Sequence, residues 1–320
     1  MPRSIPSSDN PKVVGVAEPS GLAQAGGLRL VASRRPWRLP RWLVGLAFVA
    51  PSLLVLGMVI AFPVVDTVWL SVMETRGKDQ TVFVGLANYV RLLDDGGFWS
   101  AFQNSVVFTL GSVGGHLLLG LAVALLLNQR IPFRPCFRVI SLVPWMFAPV
   151  VVAMTWRWML DAQLGVINFL LATLGLRGPF LWFESARLAL PAIVFTNIWR
   201  GFPFASLTLL AALQAIPREQ YEAAAVDGAS SVMQFRFVTL PHLRFALIII
   251  ATLDTIWNFK HFDLIQVMTN GGPAGATEML TTLTYKVSFE NFEFGYAAAM
   301  GVVMSLVLLA TTVVYVRRIL

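Results

Sequence analysis

Four side chains with hydrogen-bonding or aromatic groups lie inside long apolar runs, where polar groups are costly and therefore often functional. Asp254 and Asn258 are four residues apart, so a helix would place both on one face, with Trp257 beside them. Asn197 lies in an earlier apolar run. Amide and carboxyl groups beside an aromatic ring can bind a neutral, hydroxyl-rich solute. We therefore predict that Asn197, Asp254, Trp257 and Asn258 line the path of such a solute.

The same side chains could instead hold packed helices or subunits together. Pairing of Asp254 with Lys260 or with Arg200 would satisfy the buried charges without any solute. The sequence leaves both roles open.

The residues that catalysis or metal binding would need are scattered through the sequence. Its three histidines, His116, His242 and His261, are far apart, which is typical of packed or interfacial residues. The single cysteine, Cys136, cannot form an internal disulfide. No glycine-rich loop ending in Lys-Ser or Lys-Thr is present to hold the phosphates of ATP. We therefore predict no catalytic residue, no metal site and no cofactor bound by this chain itself.

Composition indicates that lipid is the solvent for much of the chain. Of its 320 residues, 57% are hydrophobic and only 13% are charged, and the mean hydropathy is +0.70. A soluble domain is about half apolar and a quarter charged. The net charge of +7 is scattered between apolar runs and forms no basic face, so nucleic acid is not expected as a partner.

Six stretches are long and apolar enough to cross a hydrocarbon core of about 30 Å. They are 42–65, 103–127, 139–160, 188–212, 244–268 and 296–316. Backbone groups in lipid must be hydrogen-bonded within the segment, so each stretch is predicted to be a helix. Proline residues predict kinks in three of them: Pro51, Pro63, Pro144, Pro149, Pro191 and Pro203. The predicted fold is an all-α polytopic membrane protein with six transmembrane helices.

Charge asymmetry predicts the orientation, because arginine and lysine are enriched in cytoplasmic loops. Counting from the first stretch, the rule places both termini in the cytoplasm. The chain is expected to be a multi-pass protein of the cell (inner) membrane. Residues 1–41, which are rich in Ser, Pro, Gly and Arg, are expected to form a cytoplasmic, mostly disordered tail. Residues 42–102 would hold the first transmembrane helix and an outer loop, and 103–318 the remaining spans.

The longest cytoplasmic segment, 214–243, has the signals of a helix, a sharp turn and a second helix. Pro217 suits the first turn of a helix, and Glu219 and Glu222 lie close to its positive end. Gly228 allows a turn with positive φ. Ser231 followed by Gln234 has the capping-box spacing for the second helix.

Pro241 is expected to end the second helix or to bend it into the next span. The two helices would expose an apolar surface to a cytosolic partner through Tyr221, Met233, Phe235 and Phe237.

Three short runs in this segment resemble the EAA loop of ABC importer permeases: Glu222-Ala223-Ala224, Asp227-Gly228-Ala229 and Leu240-Pro241. In that family the loop forms the coupling helix that docks into a groove of the cytosolic ATPase. Further runs are similar to sugar permeases of the maltose and glycerol-3-phosphate type, and together they cover about 42–318: 83–89, 98–105, 199–213, 262–265, 269–274 and 295–297. Arg244 departs from this pattern, because a proline often occupies that position in the family.

The resemblance implies an ABC transmembrane type-1 domain over 103–318, with the EAA loop at 214–243. We name this segment the coupling loop. Its expected ATPase contacts are Glu222, Ala223, Ala224, Asp227, Gly228, Leu240 and Pro241. The implied partners are a cytosolic ABC ATPase dimer that binds ATP, a second homologous permease, and an extracytoplasmic solute-binding protein. The binding protein would deliver a sugar at Gly271-Gly272-Pro273, and the sugar would cross by alternating access.

Other functions remain open at this point. The chain could instead import glycerol-3-phosphate or a related polyol, and glycerol-3-phosphate would need a cationic pocket, which Lys260 or Arg200 could supply. A secondary transporter would need intramembrane acids of its own, and Asp66 and Asp254 are the candidates. A membrane scaffold would need neither. Binding of an ATPase through the coupling loop separates the importer from these alternatives.

Overall fold

The computed structural model describes residues 40–76, 80–176 and 178–319. The predicted disordered tail, 1–41, lies outside these residues except for its last two positions. The α-helices within the described residues are α1 (Arg41–Leu56), α2 (Phe62–Ser71), α3 (Ala87–Asp94), α4 (Gly96–Asn128), α5 (Arg134–Met146), α6 (Pro149–Met159), α7 (Val166–Thr173), α8 (Ala189–Gln214), α9 (Arg218–Val226), α10 (Ser231–Gln234), α11 (Leu240–Phe259), α12 (Asp263–Met268), α13 (Leu280–Phe289) and α14 (Phe294–Ile319).

One short hairpin adds β-structure to the all-α fold. Strand β1 (Met73–Arg76) pairs antiparallel with β2 (Gln80–Phe83), and Met73 lies opposite Phe83. β-Branched and aromatic residues such as Val82 and Phe83 favour strands. The hairpin directly follows α2.

The predicted number of membrane spans is confirmed by helix length and composition. Five segments of the described chain are long and apolar enough to cross a membrane: Gly45–Ser71, Gly96–Asn128, Ala189–Gln214, Ser231–Phe259 and Phe294–Arg317. Helices α5 and α6 give a sixth span if the pair is counted as one.

The pair α5 and α6 corrects the single helix expected over 139–160. Pro149 begins α6, and a proline ring disfavours helical conformation in the residue before it. Ala148 accordingly has φ −60° and ψ 141°, and Phe147 has φ −76° and ψ 139°. These two extended residues separate the helices, whose axes are bent by 92°.

Two further spans differ from their expected bounds. The first, expected over 42–65, continues to Ser71 through a π-helical turn at Gly57–Ala61. Pro63 lacks the amide hydrogen that a regular helix would use there, and a π-turn accommodates that loss. The fifth, expected over 244–268, ends at Phe259, and α12 is a separate helix. The break falls at Lys260 and His261, just before Asp263, and the expected span had bridged these polar residues.

The contacts divide the chain within α1, between Leu54 and Val55. The first part is described from Pro40 onwards as a helical segment whose apolar side chains are mostly exposed. The second part contains the other elements and the core.

The core of the second part forms where α4, α8 and α11 pack together. Phe108 on α4, Ile193 and Leu209 on α8, and Ile250 on α11 are all fully buried. Large apolar side chains on other faces, such as Leu118 on α4, are exposed. Such outward apolar faces suit contact with lipid or with other subunits.

Glycine allows α4 and α8 to approach closely at one polar contact. Gly201 on α8 lies against the imidazole of His116 on α4. A Cβ atom at position 201 would lie 2.2 Å from Nε2 of His116, well inside van der Waals contact. The absence of a side chain at this position is therefore what lets His116 reach the interior of the helix packing.

Ionic and aromatic contacts tie α3 and α14 together at the membrane end where α4 begins. Arg91 pairs with Glu293 and stacks over the ring of Tyr296 at 3.9 Å, and this hydrogen bond raises the pKa of Arg91. Burial of Asp95 opposes its ionisation. The hydroxyl of Tyr296, donating at 2.5 Å, and two amides of α4 outweigh that effect and lower the pKa of Asp95. This carboxylate therefore stabilises the fold at neutral pH, and its contribution falls as the pH drops through the lowered pKa.

The close approach at Gly201 gives a stability prediction. Gly201→Ala should lower the free energy of unfolding by about 1–3 kcal/mol, because the added methyl group overlaps the imidazole of His116. Thermal unfolding of the purified protein in detergent measures the loss. Gly114→Ala on α4 is the matched control, since a Cβ there meets no atom within 4 Å. Equal melting temperatures for the two variants would contradict the assigned contact.

Candidate functional site

A buried polar network joins α4, α8 and α11. The Nδ1 atom of His116 lies 2.7 Å from Oδ2 of Asp254, and its Nε2 lies 2.9 Å from the carbonyl oxygen of Asn197. The amide of Asn197 donates to Oδ1 of Asn258 at 2.5 Å and to the hydroxyl of Ser112 at 2.9 Å. Asn258 in turn donates to Oδ1 of Asp254 at 2.8 Å. None of the five residues is more than 6% exposed.

The hydrogen-bond donors and acceptors around His116 show how this network can be buried without a net charge. Both ring nitrogens of His116 face oxygen acceptors, so a single ring proton cannot satisfy both contacts unless Asp254 carries another. Either His116 is doubly protonated beside a carboxylate, or Asp254 is protonated beside a neutral ring. The pair is electrically neutral in both cases, which lowers the cost of placing it in an apolar span.

The structure brings together three of the four residues predicted to line a solute path. Asn197, Asp254 and Asn258 contact one another, as a shared site requires. The partner of Asp254 is His116, whereas the proposed alternative partners Lys260 and Arg200 do not pair with it among the described residues. His116 is 138 residues from Asp254 in the chain, so sequence spacing gave no sign of this contact.

Trp257, the fourth predicted residue, lies outside the network and forms an aromatic row with two others. Its ring packs edge-on against Phe204 at 5.1 Å, and Phe204 stacks with Trp145 at 6.4 Å. Trp257 is 44% exposed and Trp145 is 48% exposed. Helices α11, α8 and α5 thus present one apolar, aromatic surface. Trp145 and Phe204 were missed because they are ordinary residues of apolar runs.

The coupling loop has the expected helix and sharp turn. Helix α9 ends at Val226, and Gly228, two residues further on, has φ 79°. The amide of Ala229 donates to the carbonyl of Ala224 and that of Gly228 to the carbonyl of Ala225, which is the Schellman pattern of a glycine-ended helix. Glu222 is exposed on this helix, and Val226, at its end, is 87% exposed.

The second half of the coupling loop differs from the prediction in two respects. Ser230, not Ser231, caps α10, because its hydroxyl accepts from the amide of Met233 at 3.4 Å. Pro241 does not end this helix. The chain continues through a π-helical turn at Phe235–Thr239 into α11, where a proline in the first turn needs no amide hydrogen.

The predicted apolar surface of the loop is only partly exposed. Met233 and Phe237 are 52% and 69% exposed, whereas Phe235 is half-buried. Tyr221 is also half-buried, and its hydroxyl lies 2.9 Å from that of Thr239, which fastens α9 to the following helix.

At the opposite end of the spans, side-chain hydrogen bonds and one ion pair hold the loop between α12 and α13. The hydroxyls of Thr269 and Thr277 lie 2.7 Å apart, and Thr277 also donates to the carbonyl of Gly272. Lys286 pairs with Glu278 at 2.5 Å. The predicted delivery face at Gly271-Gly272-Pro273 is therefore held in a fixed shape.

Within the described residues, no group of three or more His, Cys, Asp or Glu side chains is arranged to hold a metal ion.

Family comparison agrees with the class that these features define. The model of the binding-protein-dependent transport system inner membrane component matches residues 116–318. The chain belongs to this family of ABC transporter permeases, and it is a multi-pass protein of the inner membrane.

Relatives of known designation match most of the chain. It is 37% identical over 275 residues to the trehalose/maltose transport system permease protein MalF of Thermococcus litoralis, covering 86% of this chain and 92% of the relative. It is 35% identical over 292 residues to the sulfoquinovosyl glycerol transport system permease protein SmoG of Agrobacterium fabrum, covering 88% and 94%.

A solved structure shows the same fold. The crystal structure of a bacterial ABC transporter for import of the acidic polysaccharide alginate matches with a TM-score of 0.75 and 20% identity, covering 87% of this chain and 94% of the other.

The polar network gives a second stability prediction. Asp254→Ala should cost about 2 kcal/mol, because it removes the buried partner of Nδ1 of His116 and one of the two acceptors of the Asn258 amide. Thr252→Ala on the same helix is the control, since its hydroxyl bonds only to the carbonyl of Ile248 within α11. Thermal unfolding of both purified variants tests the difference. Equal losses would show that the bonds of the Asp254 carboxyl group contribute no more than one local hydrogen bond.

Proposed function

We propose that this chain is a transmembrane permease subunit of an ATP-driven importer for a carbohydrate delivered by an extracytoplasmic binding protein. The observation that carries the proposal is the exposed, glycine-ended coupling helix α9, set in a chain that aligns over most of its length with sugar permeases. The names of those relatives cover a disaccharide and a glycosylated glycerol. These names support a carbohydrate as the solute class.

The energy source would be a cytosolic partner, because the sequence has no phosphate-binding loop of its own. In this proposal an ABC ATPase dimer binds ATP and contacts α9 at Glu222 and its neighbours. A second homologous permease completes the pathway. The binding protein docks on the fixed loop at Gly271-Gly272-Pro273. The exposed side chains of Val226 and Val232 give the ATPase groove an apolar contact on either side of the turn.

The solute path would run along the aromatic row. Sugars present apolar C–H faces that stack on aromatic rings, and Trp257 and Trp145 are exposed for such contact. Asn197, Asp254 and Asn258 lie on α8 and α11, two of the helices that carry the row, and their polar atoms are bonded to one another. We propose that they hold α8 and α11 at the spacing the row needs, and that they contact solute only after these helices shift.

Coupling is tested by changing the turn of the loop. Gly228→Val should reduce copurification of the ATPase and solute-stimulated ATP hydrolysis by about tenfold or more, because a β-branched residue is strained at φ 79°. A Cβ there meets no atom, so the effect comes from the backbone alone. Glu222→Ala should weaken binding in the same direction.

Gln220→Ala is the matched control for coupling, since Gln220 is exposed on α9 but points about 200° away from Glu222 around the helix. Full ATPase binding and coupled transport in Gly228→Val would reject the turn at Gly228 as part of the ATPase contact. Uptake by the wild-type chain with no ATPase bound would instead favour a secondary transporter.

The path is tested by transport in reconstituted complexes that still hydrolyse ATP. Trp257→Ala should lower the rate of sugar uptake at limiting concentration by about tenfold, the loss of roughly 1.4 kcal/mol of stacking. Trp158→Ala on α6 is the control, because Trp158 is 66% exposed but is not part of the row. Unchanged uptake in Trp257→Ala would show that the aromatic row does not line the solute path. Unchanged solute affinity and transport rate in both Asn258→Ala and Asp254→Asn would show that the polar network is not part of the solute path.

A further inference from the structure

A cavity of about 630 Å³ at the coupling-loop end of the spans is lined by four arginines. Arg130 follows α4, Arg134 begins α5, Arg138 lies one turn further along α5, and Arg218 begins α9. We call this cavity the arginine pocket. It brings together the connection between two spans and the first residue of the coupling helix.

The pocket has a fixed geometry, because two of its arginines are held by protein contacts. Arg134 donates from Nε to the carbonyl oxygen of Leu127 near the end of α4. With the amide of Gln214 turned so that its oxygen faces the arginines, that oxygen accepts from Nη2 of Arg134 at 2.9 Å and of Arg138 at 2.6 Å. The Nε atom of Arg138 is shielded from solvent and has no hydrogen-bond partner among the described residues.

The charge of the pocket is uncompensated within the described chain. The ion pairs of Arg91 with Glu293 and of Lys286 with Glu278 lie elsewhere, and no described carboxylate pairs with any of the four arginines. No acidic side chain lines the cavity. Four guanidinium groups around one cavity repel each other unless an anion occupies it.

We propose that the arginine pocket binds a phosphate group, carried by an anionic phospholipid or by a soluble phosphate compound. The planar guanidinium presents paired donors that match phosphate oxygens, and the unpartnered Nε of Arg138 supplies one of them. The pocket lies at the ends of membrane spans. The exposed side chains of Phe133, Phe137 and Ile140 on the same turn and helix provide the apolar surface that lipid chains would contact.

Occupancy of the pocket would link the coupling loop to the membrane scaffold. Arg218 begins α9, whereas Arg130 and Arg134 belong to the connection between α4 and α5. One bound phosphate would therefore fix the start of α9 relative to the ends of two spans. This role is independent of which solute the permease carries.

The test measures the melting temperature of the purified full-length chain in detergent, titrated separately with phosphatidylglycerol, phosphatidylcholine and inorganic phosphate. The double variant Arg130→Gln/Arg218→Gln should bind the anionic probe about tenfold or more weakly than the wild type. These two side chains are exposed and make no hydrogen bond in the described chain, so their loss leaves the fold intact. Native mass spectrometry of bound phosphatidylglycerol gives a second, stability-independent readout.

The control double variant Arg236→Gln/Arg317→Gln removes the same charge from the same predicted side of the membrane, outside the pocket. Its affinity should equal that of the wild type. Binding of phosphatidylglycerol but not inorganic phosphate assigns the site to a lipid head group, and binding of both assigns it to any phosphate compound.

Three results would overturn the proposal. Equal stabilisation by phosphatidylcholine and phosphatidylglycerol, without an effect of phosphate, would show that charge plays no part. An equal loss in the control double variant would show a general surface effect. Failure of the wild type to bind either anionic probe, together with loss of ATPase copurification in Arg130→Gln/Arg218→Gln, would assign the arginines to an acidic partner protein.

Discussion

Hydrogen bonding between side chains of different spans is the constraint on which the rest of the structure depends. In an apolar span no water is available to form hydrogen bonds with polar atoms. The polar groups of Asp254 and Asn258 must therefore form hydrogen bonds with other parts of the chain. They are satisfied by His116 on α4 and Asn197 on α8. The three helices that build the core are thereby joined at one level, and the aromatic row on α5, α8 and α11 is positioned by that junction.

Much of the fold could be predicted from sequence because lipid imposes a simple rule of length and hydropathy. The number of spans and the turn at Gly228 follow from local composition. The break at Phe147 and Ala148 depends on the conformation that Pro149 imposes on its neighbour, which hydropathy does not report. The helix break after Phe259 coincides with Lys260, His261 and Asp263, but the expected span bridged these residues because apolar residues resume at Leu264.

The candidate site was predictable in its members but not in its arrangement. Spacing placed Asp254 and Asn258 on one face, which the structure bears out, but their partners are in other spans. The continuous helical segment from Ser231 to Phe259 was one of two expectations, because Pro241 could either end the helix or bend it into the next span. That segment is about 44 Å long, at 1.5 Å per residue. One end of this segment belongs to the coupling loop, and the polar network lies near its other end. Displacement of the loop would therefore be transmitted to the network along one unbroken helical segment.

Gly201 and His116 restrict each other's replacement. Any side chain at position 201 collides with the imidazole, so an imidazole fits at position 116 only while position 201 is glycine. In descendants of this sequence the two sites should consequently change in a set order, with loss of the imidazole preceding any larger residue on α8. Loss of that ring also strips Asp254 of a partner, so an evolutionary path away from glycine passes through a less stable protein unless Asp254 changes as well.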